Sequence, residues 1–152
     1  MKQNWLKPIF LSFLSICILL GFLTLPALAD YSQRRFVGLW QAIDSYDGST
    51  QLLSITCSRQ GDCDVRLNDT AFTLSCQNKI GFAQGVGSIN RNVLTVELTL
   101  YCSNLDGTSD LIGSQENEFV LDHRNGTLLN INDDPGPNDD PALANVFHRI
   151  SK

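Results

Sequence analysis

Apolar and polar residues alternate along most of the chain after Asp30. In "VLTVELTLYC", Val93 to Cys102, the residues Leu94, Val96, Leu98, Leu100 and Cys102 share one face. Thr95, Glu97, Thr99 and Tyr101 share the other. Period two over ten residues predicts a strand with one buried side. The same habit returns in "LLSITC" with Leu53, Ile55 and Cys57, and in "CDVRLN" with Cys63, Val65 and Leu67. It returns again in "AFTLSC" with Phe72, Leu74 and Cys76, in "EFVLD" with Phe119 and Leu121, and in "TLLNI" with Leu129 and Ile131. No helical stripe of period 3.6 interrupts it.

Turn residues fall between these runs. Asp47-Gly48 and Asp106-Gly107 mark two reversals, Asn90 to Asn92 a third, and Asn125-Gly126 a hairpin. With Val37–Ile43 and Val146–Ile150 added, eight or nine strands are joined by short connections. The predicted fold is all-β: an antiparallel meander of about eight strands, closed or nearly closed into a barrel, or stacked as a sandwich. Two segments break the rhythm. "GFAQGVGSI" puts Ala83, Gly85 and Gly87 on one face, which predicts either a sharp coil of the sheet or room inside a barrel. Asn130 to Asn145 holds three of the five prolines and four aspartates, and reads as a long loop.

The leader changes the setting. Lys2 and Lys7 precede an uncharged run from Ile9 to Leu25, then Pro26 and the small-x-small site Ala27-Leu28-Ala29. Residues 1–29 are expected to be a signal peptide and residues 30–152 a single domain in the exported protein, secreted or periplasmic. An uncleaved anchor is the alternative; the run is short for a span. All 16 acids lie after Ala29, but two of the 11 bases lie before it. The exported part would therefore carry nine bases against 16 acids. That balance repels phosphate backbones and makes nucleic acid a poor partner. No membrane contact is expected once the leader is removed.

Of five cysteines, Cys17 leaves with the leader. Cys57, Cys63, Cys76 and Cys102 remain, an even count that predicts two disulfides in an exported domain. Cys57 and Cys63 flank a short hairpin tip, so Cys57–Cys63 with Cys76–Cys102 is the favoured pairing. Two other connectivities stay open. The spacing of Cys57 and Cys63 is not a usual zinc pattern.

Chemistry is sparse. His123 falls in a turn and His148 in the last strand, and no G-x-S-x-G nucleophile stretch exists. Asp62 with Asp64, and Glu116 with Glu118, lie two apart and would share a strand face. Exposed carboxylates in such pairs usually keep a protein soluble, so no catalytic residue is assigned. Asp133, Asp134, Asp139 and Asp140 offer oxygen donors to calcium but lack EF-hand spacing, and a solvated loop is the simpler expectation. Neither a metal site nor a cofactor is expected.

Phe36-x-Gly38-x-Trp40, just after "SQRR", together with "VFHRI" near the end, resembles the lipocalin-like or calycin group, including avidin-like barrels. The chain also resembles small exported bacterial proteins of unknown function. The calycin resemblance implies a 3-10 turn at Tyr31–Arg35, Gly38 and Trp40 opening the first strand, and Arg149 covering the Trp40 ring. These roles are structural, and no binding residue follows from them. Two functions are expected from different classes. One is a non-catalytic barrel holding an unknown small ligand. The other is an interaction or inhibitory module whose loops, chiefly Asn130–Asn145 and Ser103–Ser109, touch another exported protein. An open lined cavity would favour the first and a filled interior the second.

Overall fold

The computed structural model describes residues 32–45, 47–131 and 145–151. The leader, Cys17, Tyr31 and the four loop aspartates from Asp133 to Asp140 lie outside the described residues.

Eight strands form a closed antiparallel barrel in sequence order. They are β1 (Gly38–Ile43), β2 (Thr50–Cys57), β3 (Asp62–Asp69), β4 (Gly81–Asn90), β5 (Val93–Ser103), β6 (Ser109–Asp122), β7 (Thr127–Asn130) and β8 (Asn145–Ser151). β8 closes the ring by pairing with β1, setting Trp40 against Arg149 and Gln41 against His148. The barrel, not the sandwich, is the outcome. With strands this short and connections this tight, closure removes two sheet edges that a sandwich would leave open.

The alternation fixes which side chains enter. Leu53 and Ile55 from β2, Val65 from β3, and Leu94 and Val96 from β5 all turn inward and join Trp40, Phe119, Leu128 and Phe147 in one buried cluster. Hairpin chemistry sets the register. Asp122 accepts hydrogen bonds at Oδ1 from the Arg124 N–H (2.8 Å) and at Oδ2 from Asn125 Nδ2 (2.8 Å). Gly126 then takes a positive φ of 69°, where a Cβ would be unfavourable. His123 sits exposed in this turn, and His148 is exposed on β8.

One predicted face and two predicted elements are corrected. In β7 it is Leu128 and Asn130 that are buried, while Leu129 is half-buried and Ile131 exposed, because pairing with β8 sets Leu128 opposite the buried Phe147. "AFTLSC" is not a strand: Phe72–Ser75 is a single helical turn, with the Cys76 N–H donating to the Phe72 carbonyl at 2.8 Å. Five residues of period two also fit one turn of helix, and local bonds decide. Asp69 Oδ1 accepts from the Ala71 N–H at 2.8 Å, and the Thr73 hydroxyl donates to the Thr70 carbonyl at 2.8 Å. These bonds bend the chain out of β3 before another strand can start. The second corrected element is β6. It begins at Ser109, so the expected loop ends there and "SDLIGSQE" is strand. A bulge opposite Leu100 and Tyr101 puts one extra residue, Ile112, into the ladder and hides the period.

The small residues of β4 serve the coil of the sheet. A Cβ on Gly87 would lie 2.6 Å from the Thr95 carbonyl oxygen and 2.8 Å from Val96 Cβ; one on Gly85 would run into the Glu97 carbonyl oxygen. The β5 backbone therefore occupies the space that side chains at these two positions would need.

Candidate functional site

The barrel is shut at one end by the stretch that opens it. Residues 32–36 form a helical turn, where the expectation was a 3-10 turn, and the Val37 N–H donates to the Gln33 carbonyl. Gly38 takes a φ of 142° as the chain enters β1, a value that side-chain-bearing residues rarely adopt. Trp40 is 1% exposed, and its indole Nε1 donates to the Phe36 carbonyl at 2.8 Å. The Arg149 guanidinium lies 4.3 Å from the Trp40 ring centroid and donates to the Arg35 carbonyl. Burial, then the neighbouring Arg35 charge, lowers the Arg149 pKa; the group stays cationic at neutral pH. Gly38, Trp40 and Arg149 thus form one plug.

A second plug, at the opposite end, was not expected. Gln51 is buried, and its Nε2 donates to Asp44 Oδ2 (3.1 Å) and Asp69 Oδ2 (2.9 Å). Asn145 Nδ2 donates to Asp44 Oδ2 at 3.1 Å and to Gln51 Oε1 at 3.4 Å. Two buried amides are satisfied here by half-buried carboxylates and by each other, as burial requires. The residues lie up to 101 positions apart in sequence, and no local pattern links them.

Between the plugs the interior is packed. Phe36, Leu53, Ile55, Leu94, Phe119, Leu128 and Phe147 are each 0% exposed. Side chains bordering a wet cavity would show surface to it, so these seven line none. One of the two disulfides borders this core: Cys63 is part of the buried cluster and Cys57 packs against it. Cys57–Cys63 joins directly opposed residues of β2 and β3, with Cα atoms 4.0 Å apart. Cys76–Cys102 ties the helical turn to β5, with Cα atoms 5.4 Å apart.

A concave feature lies on the outside. Ser54, Thr56, Asp64, Arg66, Gln84, Val86, Glu97, Thr99 and Tyr101 line an open groove of about 700 Å³ across β2 to β5. Strand register explains it. Ser54 pairs with Arg66, Arg66 with Gln84, Gln84 with Thr99 and Thr99 with Ser114, so five polar side chains form one row across five strands. At the usual strand spacing the row is roughly 19 Å long. Asp64 and Glu97 stand on one flank. On the other, Arg66 lies 4.3 Å above the Phe82 ring, and Phe82 stacks on Tyr101 with centroids 5.6 Å apart.

This groove was missed at the level of sequence. The outward residues of each strand were legible, but register alone decides which of them meet. The structure does bring two carboxylates into one groove, Asp64 and Glu97, though they are not either of the pairs adjacent in sequence. Asp62 faces out opposite Ser88, and Glu116 stands opposite Glu97 on β5. Among the described residues no helix is long and apolar enough to cross a membrane. Comparison with protein-family models, with curated proteins and with solved structures returns no match to this chain.

Proposed function

We propose that this is an exported, non-catalytic interaction module that binds another protein with the outer face of β2 to β6. The packed interior between two plugs is the observation that carries the reading. A calyx that holds a ligand needs empty volume, and the core side chains here leave no surface to it. The two disulfides and the leader composition support export. The Trp40–Arg149 stack supports a lipocalin-like barrel in which that contact serves closure and not binding.

The groove has the polarity of a protein-binding surface. It carries Asp64, Arg66 and Glu97 with short hydroxyl side chains between them, and it is open to water. A catalytic reading of Asp64 and Glu97 lacks support, because a general acid needs a carboxyl kept protonated by burial and both side chains are exposed. The second reading is a small hydroxyl-rich ligand lying along the Ser54–Ser114 row. The aromatic flank of Phe82 and Tyr101 beside planar polar groups favours it.

Native mass spectrometry of the protein isolated from its source separates the two. A second polypeptide lost on combining Arg66→Ala with Gln84→Ala is the expected result. A stoichiometric small molecule, lost in the same variant, would replace the first reading by the second.

A further inference from the structure

Charge in this barrel is sorted by end. The β2–β3, β4–β5 and β6–β7 turns lie at the Trp40 end, with the helical turn that precedes β1. They carry Arg34, Arg35, Arg59, Arg91 and Arg124, together with Arg149, which donates to the Arg35 carbonyl. Two described acids stand with them, Asp62 and Asp122, and the Asp122 oxygens are taken by the Arg124 N–H and Asn125 Nδ2. The opposite end carries Asp44, Asp47, Asp69 and Asp106 against Lys79, which is itself paired with Asp110 at 3.5 Å. Ile131 and Asn145, which flank a segment outside the described residues, stand at that opposite end too. The excess of acids over bases in the whole chain hides this separation.

The fold keeps these arginines unpaired and spaced. Arg59, Arg91 and Arg124 are exposed, and among the described residues none of them makes an ion pair. Neighbouring hairpins around a barrel lie two strand spacings apart, so their tips stand roughly 10 Å from each other. The N-terminal turn reaches the first of these tips: a Cβ on Gly61 would come within 3.3 Å of Gln33 Nε2. Arg91 takes a positive φ of 59° as the first residue of the two-residue β4–β5 turn. Hairpins favour glycine, asparagine or aspartate in such a conformation, so arginine stands there against local preference. Separate guanidinium tips on one end suit an extended anionic surface. A single small anion would need donors converging on one point. Arginine is also the cation whose planar fork matches phosphate oxygens in pairs.

The order of the chain points to one such surface. The apolar run from Ile9 to Leu25 joins the barrel through Ser32, at this end. On the leader reading, the arginine end is the end nearest the membrane during export. We infer that the Trp40 end of the barrel docks on the anionic phospholipid surface of that membrane, with Arg59, Arg91 and Arg124 on lipid phosphates. Each basic side chain adds to such binding, and salt weakens it. This contact goes beyond the interaction reading, because the groove of β2 to β5 lies on the side of the barrel and not on its end. It also departs from the expectation that no membrane contact follows removal of the leader.

The probe is a vesicle of phosphatidylcholine and phosphatidylglycerol, mixed about two to one, against one of phosphatidylcholine alone. The exported protein should sediment with the first and stay in solution with the second, and about 1 M salt should release it. Arg59→Gln, Arg91→Gln and Arg124→Gln should each weaken binding about three- to fivefold, and the triple variant should lose it. Arg91→Gly also relieves the positive φ, so it should bind less while unfolding no earlier than the parent. Lys79→Gln removes the same charge from the opposite end and should leave vesicle binding within about twofold.

Equal sedimentation with both vesicles overturns the docking. So does a loss in Lys79→Gln as large as that in Arg91→Gln, which would show that net charge alone decides, or a triple variant that still binds. Failure on vesicles, with an acidic polypeptide held through the same arginines, would replace the lipid surface by a protein. The groove is tested by Arg66 and Gln84, so either proposal can fail while the other stands.

Discussion

Two arginines in this barrel lie over aromatic rings at the same distance. Arg149 is 4.3 Å from the Trp40 centroid, and Arg66 is 4.3 Å from the Phe82 centroid. Everything around them differs. Trp40 is buried, its N–H is satisfied by Phe36, and Arg149 is held by the Arg35 carbonyl. Phe82 is half-buried, and Arg66 is exposed beside the groove. A cation over a ring contributes most where water is excluded, and about 0.5–1 kcal/mol where it is not. The contact at Trp40 therefore closes the barrel. The contact at Phe82 is the weaker of the two.

The sharpest way to break the comparison is at the buried ring. Trp40→Ala should cost about 3–5 kcal/mol in urea or thermal unfolding. Arg149→Ala should cost about 1 kcal/mol, and the pair should lose less than the sum of the two, because both changes remove one contact. Strict additivity in that double-mutant cycle would mean the stack contributes nothing at this end.

Next in size is the staple near the outer contact. Cys76–Cys102 spans 26 residues and brings the helical turn against the strands that carry Phe82 and Tyr101. Replacing both cysteines by serine should cost roughly 3 kcal/mol by freeing the unfolded chain. The loss should appear as a lower unfolding midpoint, and amide exchange should rise first around Phe72 and Gly81. A uniform rise through the Trp40 plug instead would mean that the two regions unfold as one.

Arg66→Ala should change stability by less than about 0.5 kcal/mol, as surface substitutions do. It should still weaken partner binding. A loss comparable to that of Trp40→Ala would make the outer stack structural as well and would remove the contrast.

The smallest effect lies at the tip of the β5–β6 hairpin. The Thr108 hydroxyl and then its N–H donate to Asp106, and together they lower that carboxyl's pKa. A folded pKa below the unfolded one stabilises above the unfolded value and is lost as pH falls through the folded one. The Thr108 amide resonance should therefore hold its position as pH drops past the ordinary aspartate range, about 3.9, and move only below it. Movement at or above that range would show the tip bonds are not kept in solution. A shift at Trp40 in the same titration would couple tip to plug.

Much of the barrel was legible because one interaction, burial of alternate side chains, wrote it locally. Leu94 to Leu98 and Leu53 to Ile55 announce both strand and inward face. Asn125-Gly126 announces its own hairpin. The cysteine pair at positions 57 and 63 could be placed because a hairpin makes its ends neighbours. Phe72–Ser75 and Ser109–Glu116 were not legible, since a cap at Asp69 and a bulge at Ile112 each override a five- to eight-residue pattern.

Closure into a barrel, the plug of Asp44, Gln51, Asp69 and Asn145, and the row from Ser54 to Ser114 belong to tertiary structure alone. Each depends on register between strands distant in sequence, and register is set by the whole packed core at once. In β2, β3 and β5 the sequence determined which side chains face inward, whereas in β7 the assembled sheet reversed the predicted face. Only the assembled sheet decided that these side chains fill the interior.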